Sequence, residues 1–305
     1  MSSTEISNDP LIAGLNPQQG AAVVHAGGPL LIVAGAGSGK TRVLTRRIAY
    51  LMARRNATPY SILAITFTNK AAGEMKERVK ELVGPIAQSM WVSTFHSACV
   101  RILRQEAARL GYSNSFSIYD SADSLRLITI VSKDLNLDPK RYPPRQFQSV
   151  ISNAKNELMG PADYLNAATN QFQEVVADVY ALYQRRLQQS NAMDFDDLIL
   201  KTVEVLQRFP EAKSRYRSRF RHVLVDEYQD TNHAQYILVR ELVGSDLEGL
   251  PPAELCVVGD ADQSIYAFRG ATIRNIMQFE LDYPNATTIL LEQNYRSTQN
   301  ILNAA

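Results

Sequence analysis

The sequence predicts an α/β protein whose parallel sheet has helices on both faces and is interrupted by an all-helical insertion. Short apolar runs that each lead into a polar or glycine-rich turn and then a helical pattern are typical of buried parallel strands. Four such runs occur, at Leu30–Ala34, Ile62–Phe67, His222–Asp226 and Leu255–Gly259. Between residues 113 and 191 the apolar residues recur at helical spacing, and no strand is predicted there.

The 113–191 stretch divides into three helical patterns separated by turn signals. The predicted helices are Ser121–Leu135, Pro144–Met159 and Gln171–Gln189. We therefore predict an α/β lobe made of residues 1–112 and 192–286, with 113–191 inserted into it. Residues 287–305 are predicted to begin a second lobe.

The charge of the chain is unevenly distributed. The 305 residues contain 32 Lys and Arg against 31 Asp and Glu, a net charge of +1. Residues 40–110, however, hold thirteen Lys and Arg against four acidic residues, a local charge of +9. Because local fields attract polyanions more than the net charge does, nucleic acid is not excluded as a partner.

The composition excludes a disordered chain, a collagen and a disulfide scaffold. The two cysteines, Cys99 and Cys256, are far apart in sequence and are predicted to be buried thiols in a reducing compartment. The N-terminus lacks the pattern of a signal peptide, and no apolar run reaches the roughly 18 residues of a membrane span. We expect a cytoplasmic protein without a membrane partner.

The strongest chemical signal is the run LLIVAGAGSGKT at residues 30–41, which reads as strand, small-residue loop and helix. Small residues let backbone N–H groups surround phosphate oxygens, and the following helix adds its positive N-terminal end. This predicts the phosphate loop (P-loop) of an ATP-binding NTPase, formed by Ala36, Gly37, Ser38, Gly39, Lys40 and Thr41. Lys40 is expected to reach the β- and γ-phosphates, and the Thr41 hydroxyl is expected to bind Mg²⁺.

Acidic partners for this loop are predicted at the ends of other strands. Asp226 follows an apolar strand and is expected to hold Mg²⁺, mostly through water, while Glu227 is expected to orient and deprotonate the attacking water. Gln263 follows a further strand and is expected to sense the γ-phosphate or that water. A kinase would instead position a substrate hydroxyl, so Glu227 favours hydrolysis.

With these stretches established, the sequence resembles the UvrD/PcrA/Rep branch of superfamily 1 DNA helicases, a group of RecA-like P-loop NTPases. The matching stretches, in order, are LNPQQ (15–19), AGAGSGKT (34–41), ITFTNKAAGEM (65–75), STFHS (93–97), DFDDL (194–198), VDEYQDTN (225–232), VGDADQSIYAFRGA (258–271) and LEQNYRST (291–298). They run from residue 15 to residue 298, over nearly the whole chain.

The resemblance implies ATP-driven 3′→5′ translocation along single-stranded DNA and unwinding of duplex DNA, in repair or replication. It implies that Gln19 reads adenine and that Arg42 and Tyr295 flank the base. It further implies that Arg296 contacts the γ-phosphate from the neighbouring lobe and that Gln263 couples the nucleotide state to the DNA track. The partners implied are single-stranded DNA and junctions of single- and double-stranded DNA, with repair or transcription proteins beside them.

The implied DNA contacts are aromatic and polar residues just beyond strand ends. Stacking of a base on an aromatic ring is worth about 1–3 kcal/mol and tolerates any sequence, which suits a motor that steps over every base. The expected contacts are Thr66, Phe67, Thr68, Asn69, Thr94, His96, Tyr266, Phe268 and Arg269. Family members usually carry Arg-Trp where Ala267-Phe268 stands here, so one expected arginine contact is absent.

Helicases of this branch are commonly more than twice as long as this chain, and the later motifs V and VI are absent from it. The sequence is therefore expected to be an N-terminal portion that is unable to unwind DNA alone. Three alternatives stay open: a helicase-nuclease subunit of the RecB or AddA type, a P-loop kinase or other ATPase that does not act on DNA, and a non-catalytic lobe that binds a partner.

Overall fold

The computed structural model describes residues 9–245, 249–260, 278–279 and 281–295. By their internal contacts, these residues divide into two compact units. Unit 1 comprises residues 9–95, 214–231 and the described residues from 242 onward, and unit 2 comprises 96–213 and 232–241. Unit 2 contains the predicted insertion together with the helices that flank it in sequence.

Unit 1 is built on a six-stranded sheet in the order β3-β2-β6-β7-β1-β8. Its strands are β1 (Leu30–Ala34), β2 (Ile62–Thr66), β3 (Trp91–Thr94), β6 (His222–Val225), β7 (Glu254–Gly259) and β8 (Thr287–Leu291). Every pairing in this sheet is parallel. The four predicted strands and the α/β class are confirmed, and the carboxyl ends of the strands meet at one edge of the sheet.

The predicted second-lobe boundary falls immediately before a strand of this same sheet. β8 pairs in parallel with β1, with Leu30 opposite Thr287 and Ala34 opposite Leu291. Residues 287–291 thus extend the sheet that carries the P-loop, whereas the sequence assigned residues 287–305 to another lobe. Three of these strand residues are exposed, and only Leu291 is buried.

Three helices of unit 1 frame the loop after β1. They are α1 (Pro17–Val24), α2 (Lys40–Arg54) and α3 (Asn69–Val83). The core between them and the sheet contains Leu30, Ile32, Val43, Ile48 and Val79, all buried. Burial of such side chains contributes about 1.5–3 kcal/mol each, before the entropy of ordering them is subtracted.

The fully buried Arg47 ties α1 to α2. Its Nη1 donates to the carbonyl oxygens of Ala22 at 3.0 Å and His25 at 2.8 Å, which belong to the last turn of α1 and its cap. These are carbonyls that a helix leaves without intrahelical partners. α1 is therefore held at its C-terminal end by the helix that begins with Lys40.

Unit 2 is mostly helical, with one short parallel strand pair. Its main helices are α4 (Phe95–Glu106), α5 (Ser121–Asp134), α6 (Pro144–Asn156), α7 (Pro161–Ala167), α8 (Gln171–Gln189) and α9 (Phe195–Arg208). The first residue of α4 lies in unit 1. Two further helices, α10 (Pro210–Arg219) and α11 (His233–Val243), each have residues in both units. The three predicted insertion helices are confirmed, with ends that differ by up to three residues.

The prediction that no strand lies between residues 113 and 191 was wrong at one place. β4 (Ser117–Tyr119) pairs in parallel with β5 (Ala192–Asp194), so the insertion is not wholly helical. β4 is three residues long and largely exposed, so it has neither the apolar run nor the alternation by which strands were recognised. Its pairing partner lies more than 70 residues later in the chain.

The predicted burial of both cysteines is confirmed: Cys99 and Cys256 are free thiols in the interior. Burial raises the pKa of Cys99 to about 12 and that of Cys256 to about 11, so neither forms a thiolate at neutral pH. Within the described ranges, no helix combines the length and apolar character needed to cross a membrane.

Candidate nucleotide-binding site

The loop between β1 and α2 has the backbone of a phosphate cradle. Gly37 and Gly39 have φ angles of +74° and +88°, a left-handed region that favours glycine. The Ser38 hydroxyl closes the turn by donating to the Gly35 carbonyl at 2.8 Å. Gly39 is the N-cap of α2 and brings no side-chain cap to its first amides, as suits a helix end that receives an anion.

Lys40 lies among acidic side chains from neighbouring strand ends. Its Nζ is 3.2 Å from Asp260 Oδ2 and 3.7 Å from Glu227 Oε2. Asp260 follows β7, Glu227 follows β6, and β7 lies between β6 and β1 in the sheet. The structure thus brings Lys40, Asp226 and Glu227 to one edge, as the motif order predicted.

The acidic side of the site carries excess negative charge. Asp226 is buried, and desolvation together with the neighbouring Glu227 carboxylate raises the pKa of Asp226 to about 7. The described residues include no group of three His, Cys, Asp or Glu side chains placed to hold a metal by themselves. Mg²⁺ in phosphate sites keeps several waters and takes one or two carboxylates plus phosphate oxygens, so Thr41 and Asp226 fit it as partial ligands.

Gln229 and Asp260 are parts of the site that sequence reasoning did not assign. The buried Gln229 side chain donates through Nε2 to Glu227 Oε2 at 2.8 Å and accepts through Oε1 from the Asp260 amide at 2.9 Å. Both residues stand inside the quoted stretches VDEYQDTN and VGDADQ. From the sequence alone Asp260 reads equally well as a turn residue, yet it is the nearer acidic partner of Lys40.

Glu227 has a strained backbone, with φ +50° and ψ +45°. A non-glycine residue in this left-handed region costs on the order of 1 kcal/mol, and such residues concentrate at functional sites. The Glu227 amide donates to Asp226 Oδ1 at 3.0 Å, which ties the two acids together. Nothing in the sequence signals this conformation.

The predicted adenine reader, Gln19, is buried against the P-loop. Its Nε2 donates to the Ser38 carbonyl at 2.8 Å, while Asn16 and Gln19 form a reciprocal capping box at the start of α1. The predicted base-flanking residue Arg42 is exposed in the first turn of α2. The other, Tyr295, donates its backbone N–H to the Gly37 carbonyl at 2.9 Å and leaves about half of its side chain exposed.

The predicted DNA contacts in unit 1 surround the ends of β2 and β3. Phe67 is half-buried with its ring 5.7 Å from that of Phe95 in an edge-to-face arrangement. The buried Thr66 donates to the Thr68 carbonyl, and the Thr68 hydroxyl caps α3. Asn69 is exposed, and Thr94 ends β3 as a buried residue. Two of the threonine hydroxyls therefore already have backbone partners.

In unit 2, the ring of His96 contacts the exposed Phe195 at 5.4 Å, edge to face. The remaining predicted site residues, namely Gln263, Tyr266, Phe268, Arg269 and Arg296, lie outside the described residues.

Comparison with known proteins gives consistent matches. The family model described as the UvrD/REP helicase N-terminal domain matches residues 15–284. The chain is 68% identical over 302 residues to ATP-dependent DNA helicase UvrD1 of Mycobacterium tuberculosis, covering 97% of this chain and 39% of that protein. It is 56% identical over 300 residues to ATP-dependent DNA helicase PcrA of Bacillus subtilis, with 98% and 40% covered. The PcrA of Staphylococcus aureus is 55% identical over 295 residues, with 97% and 40% covered. The chain thus spans about two fifths of the length of these relatives.

Proposed function

Because the chain belongs to the UvrD/REP helicase N-terminal domain family, we propose that it forms the ATP-hydrolysing lobe of a 3′→5′ DNA helicase and single-stranded DNA translocase. The observation that carries the proposal is the convergence of Lys40, from the helix after the P-loop, with Glu227 and Asp260, which follow the neighbouring strands β6 and β7. The relatives named ATP-dependent DNA helicases support it. Since the chain spans two fifths of their length, the activity of the whole protein is part of the proposal.

The catalytic roles follow from charge and position. Without nucleotide, the Lys40 ammonium is neutralised by Asp260 and Glu227; a bound triphosphate offers it stronger anionic partners. Transfer of Lys40 to the phosphates releases the Glu227 carboxylate to accept a proton from water. Gln229 keeps that carboxylate in place through its 2.8 Å bond.

We also propose Mg²⁺ as the partner of ATP, held by the Thr41 hydroxyl and, through water, by Asp226. When bound, the ion supplies positive charge that stabilises the transferring phosphoryl group. The raised pKa of Asp226 supports this assignment, because a buried carboxylate beside another acid is stabilised by a cation.

On the DNA side, we propose that Thr66, Phe67, Thr68, Asn69, Thr94 and His96 contribute to a track for single-stranded DNA. Phe67 supplies an aromatic surface and Asn69 an exposed amide beside the end of β2. Tyr266, Phe268 and Arg269 are proposed to complete this track, and Gln263 and Arg296 the nucleotide site. Junctions of single- and double-stranded DNA, a cytoplasmic location, a role in repair or replication, and protein partners from repair or transcription belong to the same proposal.

Phosphate release by the complete protein tests this function. We expect release to require ATP and Mg²⁺ and to rise when single-stranded DNA is added. Lys40→Ala should abolish it, because the phosphates lose their principal side-chain cation. Lys201→Ala is the matched control, since Lys201 belongs to unit 2 and pairs with Glu204 within α9. Release that persists in Lys40→Ala at the wild-type rate would overturn the role of the P-loop.

The 305 residues alone are expected to bind nucleotide weakly, to hydrolyse little and not to unwind. The resemblance implies a nucleotide held between two lobes and a second arginine from motifs V and VI, which are not among these 305 residues. The same phosphate-release assay on the isolated chain tests this expectation. Vigorous DNA-stimulated release by the isolated chain would contradict it.

The relatives favour a plain helicase over the alternatives, because UvrD1 and PcrA are named helicases rather than helicase-nuclease subunits. A non-catalytic partner-binding lobe predicts no DNA-stimulated phosphate release, so the assay above distinguishes it from a motor.

A further inference from the structure

Asn16 joins the predicted adenine reader to the predicted adenine-stacking ring. Its Nδ2 donates to the Tyr295 hydroxyl at 2.9 Å, and that hydroxyl donates in turn to Gln293 Oε1 at 2.8 Å. On its other side Asn16 shares the capping box with Gln19. One short side chain therefore contacts both groups that are expected to surround the base.

The orientation of the Asn16 amide follows from the capping box. Its Oδ1 accepts from the Gln19 backbone N–H at 2.8 Å, so its NH₂ group must point the other way, toward Tyr295. A flipped amide would lose the helix cap and would place an NH₂ group against an amide N–H. The bond to Tyr295 is thus a consequence of the bond that starts α1.

The Gln19 amide retains the hydrogen-bonding capacity that adenine requires. A glutamine amide offers two donors and two acceptor positions. Gln19 uses one donor on the Ser38 carbonyl at 2.8 Å and one acceptor position on the Asn16 N–H at 3.1 Å. One donor and one acceptor remain, which matches the N7 acceptor and the amino donor of adenine and mismatches the two acceptors of guanine.

The Tyr295 ring is held at two points. Its backbone N–H bonds to the Gly37 carbonyl of the P-loop, and its hydroxyl bonds to Asn16. Its side chain keeps 53% of its surface exposed, so a ring face is open to a planar partner. Because Arg47 fixes the far end of α1, the frame that carries Asn16 and Gln19 is anchored to the P-loop helix.

We propose that Asn16 is a positioning residue for base selection. It holds the Tyr295 ring and the Gln19 amide in a fixed position relative to the P-loop. Only adenine can then stack on the Tyr295 ring and hydrogen-bond to the Gln19 amide at the same time. The inference rests on the nucleotide site of the proposed function and adds to it the residue that sets the discrimination between purines.

The test is competition binding on the complete protein, with fluorescent N-methylanthraniloyl-ATP as the probe and ATP or GTP as competitor in the presence of Mg²⁺. Asn16→Ser keeps an N-cap oxygen but loses the bond to Tyr295. We expect the preference for ATP over GTP to fall about fivefold, the size of one neutral hydrogen bond, through weaker ATP binding with GTP unchanged.

Tyr295→Phe removes the same bond from its other partner, an exposed residue whose substitution leaves the core intact. It should lower the preference by at least the same factor, since it also removes the bond from the Tyr295 hydroxyl to Gln293. The double variant should fall no further than Tyr295→Phe alone, because the bond between Asn16 and Tyr295 is already lost in that variant. The matched control is Asn170→Ser, at the N-cap of α8, where Asn170 makes the same capping bond to the Gln173 N–H. The control should keep the wild-type preference.

The outcomes separate the two levels of the proposal. A wild-type chain that binds no probe overturns the nucleotide site itself, and the role of Asn16 with it. A wild-type chain that binds ATP and GTP equally, or an Asn16→Ser variant that keeps the full preference, overturns base selection alone. If Asn16→Ser unfolds, Tyr295→Phe decides: an unchanged preference overturns the proposal, and a loss of about fivefold or more supports it. Additive losses in the double variant would show independent effects and overturn the shared bond.

Discussion

The buried side-chain amide of Gln229 links two acidic residues of the candidate site, because its NH₂ group bonds to one and its oxygen to the other. Its NH₂ group holds the Glu227 carboxylate, and its carbonyl accepts from the backbone of Asp260, the partner of Lys40. The amide therefore holds the Glu227 carboxylate, which we propose activates water, in a fixed position relative to Asp260. Its contribution is to geometry and charge rather than to nucleotide affinity.

Gln229→Glu is expected to lower DNA-stimulated phosphate release by about 10- to 100-fold while nucleotide binding changes little. The new carboxylate can still accept the hydrogen bond from the Asp260 backbone N–H. It repels the Glu227 carboxylate, however, where the Gln229 side chain donated a hydrogen bond. Displacing a general base lowers reaction rates by factors of this order. Steady-state phosphate release and competition binding on the complete protein measure the two effects. Gln235→Glu is the control, since Gln235 is also buried and also accepts a backbone N–H, from Asn232. Equal losses in both variants would contradict a specific role for Gln229.

At the scale of single residues, the sequence predicted side chains that lie within one motif but not the contacts between motifs. The common location of Lys40, Asp226 and Glu227 at one sheet edge was predictable because each lies after a strand within a local motif, while their catalytic roles stay predictions. The contact between Lys40 and Asp260 depends on β7 lying beside β1, and that neighbour relation is not encoded in the spacing of either motif. The left-handed backbone of Glu227 likewise depends on its surroundings rather than on its residue type.

At the scale of elements, a buried ion cluster links α6 to the start of α9 in unit 2. Lys155 Nζ, fully buried, lies 2.7 Å from Asp194 Oδ2 and 2.9 Å from Asp197 Oδ1. Burial alone would lower the pKa of Lys155, but the two carboxylates outweigh it and hold the pKa well above its usual value. Asp194 is also the N-cap of α9, so the charge cluster and the helix start are one structure.

Lys155→Met is expected to lower the free energy of unfolding by about 3–5 kcal/mol. Removing one partner of a buried ion pair leaves the others desolvated without compensation. Urea unfolding followed by circular dichroism measures the change. Lys80→Met, which breaks the more exposed pair with Glu77, should cost less than about 1 kcal/mol. A Lys155→Met protein as stable as the wild type would show that the cluster does not need its cation.

A second element-scale feature joins the end of α2 to the starts of β6 and β7. Arg55 bonds to both carboxylate oxygens of Glu254 at 2.6 and 2.7 Å, and His222 lies 3.4 Å from the same group. Burial would raise the pKa of Glu254, but the interactions with His222 and Arg55 outweigh it and lower the pKa to about 2.

A carboxylate whose pKa is lowered on folding stabilises the folded state above its unfolded pKa, near 4.5, and loses that effect as the pH falls toward 2. Glu254→Gln is therefore expected to lower the free energy of unfolding by about 1–2 kcal/mol at pH 7, since solvent screens part of this half-buried interaction, with the deficit shrinking between pH 5 and pH 3. Urea unfolding across this pH range measures it. Glu74→Gln, in an exposed pair with Lys70, should show no such pH dependence. A deficit constant with pH would contradict the ionic origin.

Prediction of elements succeeded where a pattern is long or strongly apolar. The helix Gln171–Gln189 was predicted with both ends correct because Asn170 caps it and its apolar residues recur over nineteen positions. β4 and β8 were missed because both are short and mostly exposed and because their pairing partners lie far away in the sequence. Short edge elements of this kind carry little local signal.

At the scale of the whole molecule, most of the basic character of residues 40–110 is used inside the protein. At least eight of the thirteen cations are bonded to protein acceptors, namely Lys40, Arg46, Arg47, Arg54, Arg55, Lys80, Arg104 and Arg109. Lys40, Arg54 and Arg55 pair with acidic residues outside 40–110, which the local charge of +9 does not count, so +9 overstates what a polyanion meets. Three further cations on α3, Lys70, Lys76 and Arg78, are partly or fully exposed, and Lys70 makes only a long, exposed pair with Glu74 at 3.9 Å. α3 begins beside the proposed DNA residues Phe67 and Asn69.

This distribution predicts how DNA affinity depends on salt. Each phosphate neutralised on single-stranded DNA contributes about −0.7 to the slope of log affinity against log salt. Replacing Lys70, Lys76 and Arg78 together with alanine should therefore make the slope less steep by about 2. If all nine net charges of residues 40–110 contacted phosphates, their removal would change the slope by about 6. Fluorescence anisotropy of labelled oligo(dT) across a range of roughly 50 to 300 mM salt measures it. Lys80→Ala, on the same helix, should leave the slope nearly unchanged, because Lys80 is hydrogen-bonded to Glu77 at 3.1 Å, whereas Lys70 is 88% exposed and 3.9 Å from Glu74. An unchanged slope in the triple variant would mean that DNA binds away from α3, and the strand-end residues beside it would lose their proposed role.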